Sequence, residues 1–388
     1  MTIQRRQILT AAGAMLVLSD GTLRMAKAQP APEGDPATRH ADPRIRAAGH
    51  AIRAPNPHNL QPWLVQLAGA DRVLLRCDLD RRLPETDPFD RQIVIGLGGF
   101  LELYRMALAQ EGIGADIALF PEGLPGRRLD QRPIAAITLR PGTGRADPLF
   151  AAVPTRRSAK QPYDLARVPD PAPLAAALAD PKRLGFTTDP ARVAALRDIA
   201  QEGFRVEAST PHTLQESVDL FRLGRAEMAA NPDGIGIGGP QVEELVARGQ
   251  LTRAAFTDRN GQAFGMMMQS TLSVIATSPC FVWTTTPGNG RVAQLEAGRD
   301  WLRLDLAANA AGLGIQPLSQ TLQEFPEMEP LHEAMRRATG VASGERLQMF
   351  GRLGHPASPG IRTALRWPAE YVYCAGDHDR PAHLPIAQ

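Results

Sequence analysis

The chain has 388 residues, 43% of them hydrophobic and 22% charged, which is typical of a soluble globular protein with one large domain or two ordinary ones. Lys and Arg total 43 against 41 Asp and Glu, and no basic stripe alternates with aromatic residues, so nucleic acid is excluded as a predicted partner. Cys77, Cys280 and Cys374 form no CxxC motif, and the eight histidines do not fall at ligand spacing. The sequence therefore predicts neither a disulfide framework nor a metal site.

The N-terminus has the features of an export signal. Arg5-Arg6 precedes an apolar run at 8–18, and Ala26-Lys27-Ala28 offers a cleavage site. The run is too short to span a bilayer as a helix, and the arginine pair resembles a twin-arginine signal. We therefore expect residues 1–28 to be a twin-arginine signal peptide, recognised by the twin-arginine translocase, and the protein to be periplasmic or in the cell envelope. The alternative is a buried helix with a basic start. Residues 29–42 are predicted to be a flexible segment.

One order of elements, strand–helix–strand–strand, occurs twice about 200 residues apart. In the first copy the predicted elements are 73–77, 90–112, 117–120 and 134–139. In the second copy they are 280–284, 296–312, 315–318 and 346–350. Glycines follow both helices, as helix stop signals do. The repeat predicts an α+β fold with an N-terminal half at 43–150 and a C-terminal half at 151–388, packed like a dimer made from one chain.

The second half also contains a long helical stretch and a glycine-rich run. The helix is predicted over about 190–228, and the run at 231–239 follows it. A dinucleotide fingerprint requires a strand directly before its glycines, whereas Asn-Pro-Asp, a turn signal, stands here. We therefore expect a mobile, lid-like loop at about 229–262, with a phosphate cradle as the alternative. A second glycine cluster, at 96–99, is predicted to lie inside a helix.

A cationic run at 156–164 is a candidate binding site. It places Arg156, Arg157, Ser158 and Lys160 within five positions. A phosphate monoester is bound well by a bidentate guanidinium, a second cation and a hydroxyl donor, all of which are present. The alternative is a solvated basic turn.

A second candidate run, at 54–63, is stiffened by prolines and rich in amides. The side chains of Asn59 and Gln61 can both donate and accept hydrogen bonds, which suits the edge of a heteroaromatic ring. The alternative is a loop in which the asparagines cap backbone groups and Trp63 fills the core.

Four motifs, in order, resemble those of the FMN-dependent nitroreductase superfamily. They are Ala-Pro-x-x-His-Asn-x-Gln-Pro-Trp at 54–63, Arg-Arg-Ser-x-Lys-x-x-Tyr-Asp at 156–164, Ala-Ala-Gly-Leu-Gly-Ile-Gln-Pro-Leu-Ser-Gln at 310–320, and Gln-Met-Phe-Gly-Arg-Leu-Gly-His-Pro at 348–356. The resemblance covers about residues 43 to 366 and is greatest to the fused-duplicate branch of Acg-like proteins. It implies a nitroreductase-like α+β fold in which two related half-copies form a single-chain pseudo-dimer.

In homodimeric members of this family each flavin lies at the subunit interface, so the resemblance implies one composite FMN site in this chain. The residues that it assigns to the phosphate and ribityl end are Arg156, Ser158 and Lys160, and Arg157 would contribute backbone groups and charge. A late arginine, Arg366 in preference to Arg362, would complete the phosphate site. The residues that it assigns to the ring are Asn59 and Gln61, with Pro317, Leu318 and Ser319 near the reactive edge.

The implied function is that of an exported flavoprotein oxidoreductase. FMN would pass hydride by ping-pong exchange from a small-molecule donor to an electrophilic acceptor, nitro- or quinone-like, so no catalytic side chain is assigned. Ser319-Gln320 stands where many catalytic members have Glu-Gly, which changes access to the flavin edge. The alternative is a non-catalytic protein of the same fold that sequesters or stores FMN. The chain is expected to be a monomer or a weak dimer.

Overall fold

The computed structural model describes residues 8–11, 14–17, 36–358, 365–369 and 373–374. The helices are α1 Pro43–Ala51, α2 Arg91–Gln110, α3 Pro190–Ser209, α4 Pro211–Asp219, α5 Gly224–Ala230, α6 Pro240–Ala247, α7 Arg253–Thr257, α8 Gln262–Ala276, α9 Arg291–Ala310 and α10 Glu329–Thr339. The strands are β1 Ile8–Ala11, β2 Ala14–Val17, β3 Trp63–Ala68, β4 Arg72–Cys77, β5 Ile113–Leu119, β6 Ala135–Pro141, β7 Leu184–Thr187, β8 Phe221–Leu223, β9 Ile235–Ile237, β10 Cys280–Pro287, β11 Gly314–Pro317, β12 Glu345–Gly354 and β13 Tyr373–Cys374.

The two halves of the chain repeat one pattern of strand pairing. The first sheet has the order β13-β3-β4-β6-β5, and the second has the order β11-β12-β10-β7. In the first sheet β6 pairs antiparallel with both β4 and β5, and in the second β12 pairs antiparallel with both β10 and β11. The α+β class and the repeated order of four elements predicted from the sequence are therefore confirmed.

The central contact of the molecule is between α2 and α9. A Cβ atom at Gly98 would overlap the carbonyl oxygen of Leu295, and a Cβ atom at Gly298 would overlap the carbonyl oxygen of Ile95. Gly98 corresponds to Gly298, and Ile95 corresponds to Leu295, with the same spacing along the chain in each case. The contact between the two helices therefore has approximate two-fold symmetry. Glycine lets the two backbones approach this closely, which explains the cluster at 96–99 that was predicted to lie inside a helix.

The core of the first half is built on α2. Five residues on its predicted apolar face have no exposed surface: Ile93, Leu97, Leu101, Tyr104 and Leu108. Among the described residues, α2 is the helix long and apolar enough to cross a membrane, yet 89% of its most apolar window is buried inside the protein. Trp63 is 1% exposed and stacks on Phe100 with ring centroids 4.9 Å apart. The interpretation in which this tryptophan fills the core is confirmed.

The insertion between β7 and β10 differs from the sequence prediction. The single helix expected at 190–228 is broken into α3, α4, the short strand β8, and α5. Thr210 has extended backbone between α3 and α4, and proline follows it. A proline ring disfavours helical backbone at the residue before it, and the proline nitrogen has no hydrogen to donate to a carbonyl of α3.

The segment at about 229–262, which was expected to be a lid-like loop, contains regular secondary structure instead. Strand β9 lies within it and pairs in parallel with β8. Helices α6 and α7 account for much of the remainder. Together these elements form a small subdomain whose core includes Phe221, Val242 and Phe256. The glycine-rich run is therefore part of a folded unit.

The two ends of the chain are described in part. Strands β1 and β2 form an antiparallel hairpin inside the expected signal peptide, whereas Arg5-Arg6 and the cleavage site lie outside the described residues. Within the expected flexible segment, Pro36–Arg39 forms one turn of 3-10 helix. At the other end, β13 pairs in parallel with β3, so the last described residues of the second half extend the sheet of the first.

Candidate functional site

The 54–63 run forms a tight turn between α1 and β3. The side chain of Asn56 closes it, because Oδ1 accepts from the Gln61 amide nitrogen at 2.8 Å and Nδ2 donates to the Ala54 carbonyl at 3.2 Å. His58, Asn59 and Gln61 all have left-handed backbone, with φ of 47°, 56° and 56°. Such conformations cost on the order of 1–3 kcal/mol each and persist where the surroundings enforce them, often at functional sites.

The 156–164 run is held in place by the second sheet. The guanidinium of Arg352, in β12, donates to the carbonyls of Ala159 and Gln161 at 3.1 and 2.6 Å and lies 3.9 Å from the centre of the Tyr163 ring. The amide of Ala159 donates to the carbonyl of Ile315, in β11, at 2.8 Å. These contacts fix the cationic run to the late motif segments.

Arg156 joins the two candidate runs. It is 6% exposed; its Nη1 donates to Oδ2 of Asp305, on α9, at 2.8 Å, and its Nη2 donates to the carbonyl of Arg53, just before the 54–63 turn, at 2.7 Å. Burial raises the pKa of Asp305, although the charge of Arg156 opposes that effect. Two groups of the Arg156 guanidinium are thus bound by protein, which favours a positioning role for this side chain.

Arg366 approaches the same turn from the C-terminal segment. Its Nε donates to the Ile52 carbonyl at 2.8 Å, and its Nη1 donates to the side-chain oxygen of Asn59. Burial, followed by the charges of Arg156 and Arg53, lowers the pKa of Arg366 to about 9. The structure therefore brings Arg156, from the cationic run, and Arg366, from the tail, together beside the 54–63 turn. Arg362, the less favoured alternative, lies outside the described residues.

Lys160 and Ser158 follow Arg156 in the same run, and the charge of Lys160 reaches the 54–63 turn at His58. Burial lowers the pKa of Lys160, and across the described ranges its ammonium forms no ion pair and the Ser158 hydroxyl forms no hydrogen bond. Arg157 is half-buried, and its Nε donates to the Thr155 carbonyl at 3.0 Å. Of Arg156, Lys160 and Arg366, only Arg156 pairs with a carboxylate in the part of the chain that is described. The cluster therefore has a surplus of positive charge.

The Gln61 side chain is used fully by the protein. Its Nε2 donates to the Pro232 carbonyl at 2.8 Å, and its Oε1 accepts from the Trp367 amide at 2.9 Å. The amide of Gly234 also donates to the Asn59 carbonyl at 3.3 Å. The glycine-rich segment and the C-terminal segment thus pack directly on the turn.

Asp233 anchors that segment. Its carboxylate accepts from Arg81 Nη1 at 2.7 Å, from Arg222 Nη2 at 2.8 Å and from Trp367 Nε1 at 2.9 Å. Burial acts to raise the pKa of Asp233, but the hydrogen bonds from Trp367 and Arg81, with the neighbouring charges, outweigh it and lower the pKa. The run at 231–239 is therefore anchored at Asp233 by buried, charge-assisted bonds to the first half and the tail, and its mobility stays a prediction.

The late segment lies at the end of β11. Pro317 is half-buried, and Leu318 is 4% exposed with its amide donating to the Phe350 carbonyl at 2.9 Å. Ser319 is half-buried and precedes a 3-10 turn, Gln320–Leu322. The side chain of Gln320 contacts the carboxyl group of Glu207. No described contact tests whether these three residues meet a ring, so that assignment stays a prediction.

Glu207, on α3, lies beside His58 in the strained turn. His58 Nε2 is 4.0 Å from Glu207 Oε1, and Ser217 Oγ donates to that oxygen at 3.4 Å. Burial raises the pKa of Glu207 to about 7. Burial, with the charge of Lys160, lowers the pKa of His58 to about 4. At neutral pH the histidine is therefore uncharged and the glutamate is near its midpoint.

Four residues that the sequence interpretation missed help to build the site: Arg53, Glu207, Asp233 and Asp305. Two of them carry a signal. Arg53 directly precedes the 54–63 run, and Asp305 lies one helical turn after Trp301 on the apolar face of α9, where a carboxylate requires a partner. Glu207 and Asp233 lie in ordinary polar sequence, and only the fold gives them partners.

Other features of the described residues do not add to this site. No three His, Cys, Asp or Glu side chains within them cluster so as to hold a metal ion, and Cys77 and Cys280 are buried thiols. An open groove of about 400 Å³ near the N-termini of α2 and α9, lined in part by Phe89, Arg127 and Arg291, contains none of the predicted site residues. The candidate site is thus the positively charged cluster beside the 54–63 turn, to which both halves of the chain contribute residues.

Comparison with curated sequences gives relatives over part of the chain. No known family profile matches it. It is 32% identical over 178 residues to acg of Mycobacterium tuberculosis strain H37Rv, which is provisionally named an NAD(P)H nitroreductase; the match covers 44% of this chain and 48% of that protein. Rv3131 of the same strain, provisionally named in the same way, is 35% identical over 120 residues, covering 31% of this chain and 33% of that protein. The chain thus spans about half the length, or less, of the curated relatives it matches.

Solved structures give a weaker comparison. A nitroreductase with bound FMN from Bacteroides fragilis is 11% identical, with 56% of this chain and 92% of that chain covered and a TM-score of 0.32. The FMN-dependent nitroreductase NfnB from Mycobacterium smegmatis, in complex with NADPH, is 17% identical, with 56% and 91% covered and a TM-score of 0.34. TM-scores this low do not establish a shared fold, so the likeness rests on sequence.

Proposed function

We propose that this protein is an FMN-dependent oxidoreductase of the nitroreductase type, which takes electrons from a small-molecule donor such as NAD(P)H and passes them to an electrophilic acceptor. The observation that carries the proposal is the surplus of positive charge on half-buried side chains around the 54–61 turn. Lys160 and Arg366 have no carboxylate partner among the described residues, and Asp305 is engaged by Arg156. A buried cation is costly unless an anion meets it, and the flavin phosphate is such an anion.

The residues present fit the phosphate end of FMN. The Lys160 ammonium and the Ser158 hydroxyl would bind phosphate oxygens directly, with Arg157 and Arg366 adding charge. Arg156 would position the cluster by joining α9 to the Arg53 carbonyl. Asn59, already bound to Arg366, would face the ribityl chain or the ring. When bound, FMN supplies the hydride chemistry, which explains why no nucleophile or metal is required.

The partial sequence likeness to acg and Rv3131, both provisionally named NAD(P)H nitroreductases, supports the same activity. The finer features are part of the proposal. The two halves, 43–150 and 151–388, would derive from a duplication, with the reciprocal α2–α9 contact as their pseudo-dimer seam and one flavin per chain. Residues 1–28 would be a twin-arginine signal and the protein would be periplasmic, which the arginine pair and the apolar run support.

The absorption spectrum of the purified protein tests the proposed cofactor. We expect a flavin spectrum and the release of FMN, about one per chain, on denaturation. Anaerobic mixing with NADPH or NADH should then bleach the flavin band, and a nitroaromatic or quinone should restore it. A colourless protein that takes up no FMN on reconstitution would contradict the proposal.

A second function, the sequestering or storage of FMN, is favoured by one observation. The segment around Asp233 packs on the turn through Gln61 and Asn59, and this closes one approach to the site. A storage protein would bind FMN, yet NADPH would not bleach it and acceptors would not reach it. The same anaerobic experiment therefore separates the two functions, since bound flavin without turnover indicates storage.

A further inference from the structure

His58 and Glu207 form a buried polar pair that cofactor binding alone does not explain. Nδ1 of His58 and Oε2 of Glu207 are both buried and have no hydrogen bond of good geometry among the described residues, although the amides of Gln320 and Gln323 lie close to the Glu207 carboxyl group. Buried polar atoms without partners are rare in folded proteins and call for a reason, such as a functional role. His58 is also held in left-handed backbone, which a histidine adopts only under constraint.

The pair lies between the two parts of the proposed flavin site. On one side, His58 directly precedes Asn59, the partner of Arg366, and the charge of Lys160 acts on the imidazole. On the other side, Glu207 contacts the side chain of Gln320, which follows the segment predicted to pass near the reactive ring edge. A molecule held between these two parts would therefore lie next to the pair.

The reduction of a quinone or nitro group requires protons as well as electrons. When a hydride reaches such an acceptor, an acceptor oxygen becomes negative and must gain a proton. A side chain can supply it if it is protonated near the working pH and lies within reach. A carboxyl group that keeps its proton in a buried site meets the first condition.

We propose that Glu207 is the proton source for acceptor reduction and that His58 relays the proton. The O–H bond of Glu207 breaks and its proton passes to Nε2 of His58, while the Nδ1–H bond breaks and that proton passes to the acceptor oxygen. Glu207 is left as a carboxylate, and His58 then holds its proton on Nε2. The pair is reset when Nδ1 takes a proton from water and Nε2 returns its proton to Glu207. The tautomer is assigned from the positions of the two nitrogens, and the 4.0 Å gap between Nε2 and Oε1 must close for transfer. The inference rests on the proposed oxidoreductase function.

The groups that face the pair fix its expected pH dependence. Around Glu207, the amides of Gln323 and Gln320 and the hydroxyl of Ser217 favour the charged carboxylate, whereas the charge of Glu216, on α4, disfavours it. The charge of Lys160 lowers the pKa of His58, and Glu207 is the other charged group beside the imidazole. Burial is the largest influence on both Glu207 and His58, and it raises the pKa of Glu207 to about 7. Glu207 should therefore supply protons below about pH 7 and fail to do so above it.

The test compares acceptors that differ in their need for a proton. FMN-loaded full-length protein is reduced with dithionite and mixed anaerobically with benzoquinone or with ferricyanide, which accepts electrons without a proton. For the wild type, reoxidation by benzoquinone should fall about tenfold from pH 6 to pH 8, as expected for a single acid that titrates near 7. Reoxidation by ferricyanide should not follow that profile.

Three variants complete the test. Glu207→Gln removes the proton and keeps the shape, and it should slow benzoquinone reduction roughly 100-fold, with no inflection near pH 7. His58→Asn removes the relay with a residue that tolerates left-handed backbone, and it should act in the same direction. Glu202→Gln, an exposed site on the same helix, should behave as the wild type. The proposal is overturned if Glu207→Gln keeps the pH inflection, or if it slows ferricyanide as much as benzoquinone.

A readout without the cofactor separates this proposal from the proposed function. Infrared difference spectra of flavin-free protein between pH 6 and pH 8 should show a protonated carboxyl band lost on alkalinisation, and Glu207→Gln should lack that band. If the band is present but no FMN binds, the oxidoreductase function fails and the relay fails with it, whereas Glu207 is still shown to hold a proton. If FMN binds and turns over but the band is missing, only the relay is overturned.

Discussion

Two buried charge clusters lie on either side of the 54–61 turn, and they differ in balance. At Asp233, the carboxylate accepts from Arg81, Arg222 and an indole, and Asp78 also pairs with Arg81, so two carboxylates meet two arginines and burial is compensated by direct bonds. At Arg156, the carboxylate of Asp305 meets one arginine, while Lys160 and Arg366 have no carboxylate among the described residues. The first cluster is complete as a structural cross-link, whereas the second has more cations than carboxylates within the described residues, which is what we expect of an anion-binding site.

This difference gives the two clusters opposite expected behaviour. Removing a charge from the balanced cluster should destabilise the fold and affect ligand binding only indirectly. Removing a charge from the unbalanced cluster should weaken ligand binding and leave the ligand-free fold as stable as before, or more stable. Each prediction below tests one side of this contrast, in order of decreasing expected effect.

Asp233→Asn should produce the largest effect. It leaves Arg222 buried without a carboxylate and Arg81 with Asp78 alone, 3.4 Å from its Nε, and breaking a buried pair in this way costs about 3–5 kcal/mol. Urea unfolding of the flavin-free protein measures the loss, with Asp219→Asn, an exposed site nearby, as the control. If the two variants unfold at the same urea concentration, the Asp233 cluster is not the cross-link described.

Glu207→Gln should change how stability depends on pH. The pKa of Glu207 rises from its ordinary value of 4.5 to about 7 on folding, so the folded state binds this proton more tightly. Below pH 4.5 the glutamate has no effect, and its contribution becomes unfavourable as the pH rises from 4.5 to 7. The variant lacks this loss and should gain about 3 kcal/mol relative to the wild type between pH 4.5 and pH 8.

Urea midpoints measured across that pH range provide the check. His58, whose lowered pKa destabilises the fold as the pH falls below its ordinary value, is present in both proteins and cancels in the difference. A constant difference between variant and wild type at all pH values would show that Glu207 titrates normally.

Lys160→Met should separate binding from stability. Losing one charge-assisted bond to phosphate weakens FMN binding by about 1.5–3 kcal/mol, or roughly 10- to 150-fold. The flavin-free variant should be no less stable than the wild type, because a half-buried charge without a partner among the described residues has been removed. FMN titration and urea unfolding measure the two quantities, with the exposed Lys182→Met as the control. Loss of stability with unchanged affinity would reverse the roles assigned to the two clusters.

Inorganic phosphate should produce the smallest effect. At a concentration ten times its dissociation constant it should raise the free energy of unfolding of flavin-free wild type by about 1.4 kcal/mol, since it binds the folded state alone. Sodium chloride at equal ionic strength should have a smaller effect, and Lys160→Met should lose the phosphate response. An identical response in Lys160→Met would place the anion elsewhere.

Regular periodicity explains which parts of the fold could be predicted from the sequence. The apolar faces of α2 and α9 and the strands around them are long and regular, so local pattern and tertiary packing agree. The break at Thr210 was missed because α3 and α4 are similar in composition, and a proline at the start of a helix is a weak signal within a longer helical pattern.

The site was predicted only where its residues form compact motifs. The runs at 54–63 and 156–164 lie together in the structure, with Arg366 beside them. Their role in binding FMN stays a prediction. Glu207 and Asp233 could not be found in advance, because each takes its function from partners more than 100 positions away in the sequence.

The central claim is that the surplus charge around Lys160 and Arg366 binds the phosphate of FMN. The most direct measurement compares the affinities of flavin-free protein for FMN and for riboflavin, which differ by that phosphate alone. We predict that FMN binds at least about 100-fold more tightly, as expected for two or more charge-assisted hydrogen bonds to the phosphate. Equal affinity for the two flavins, or binding of neither, would contradict the account.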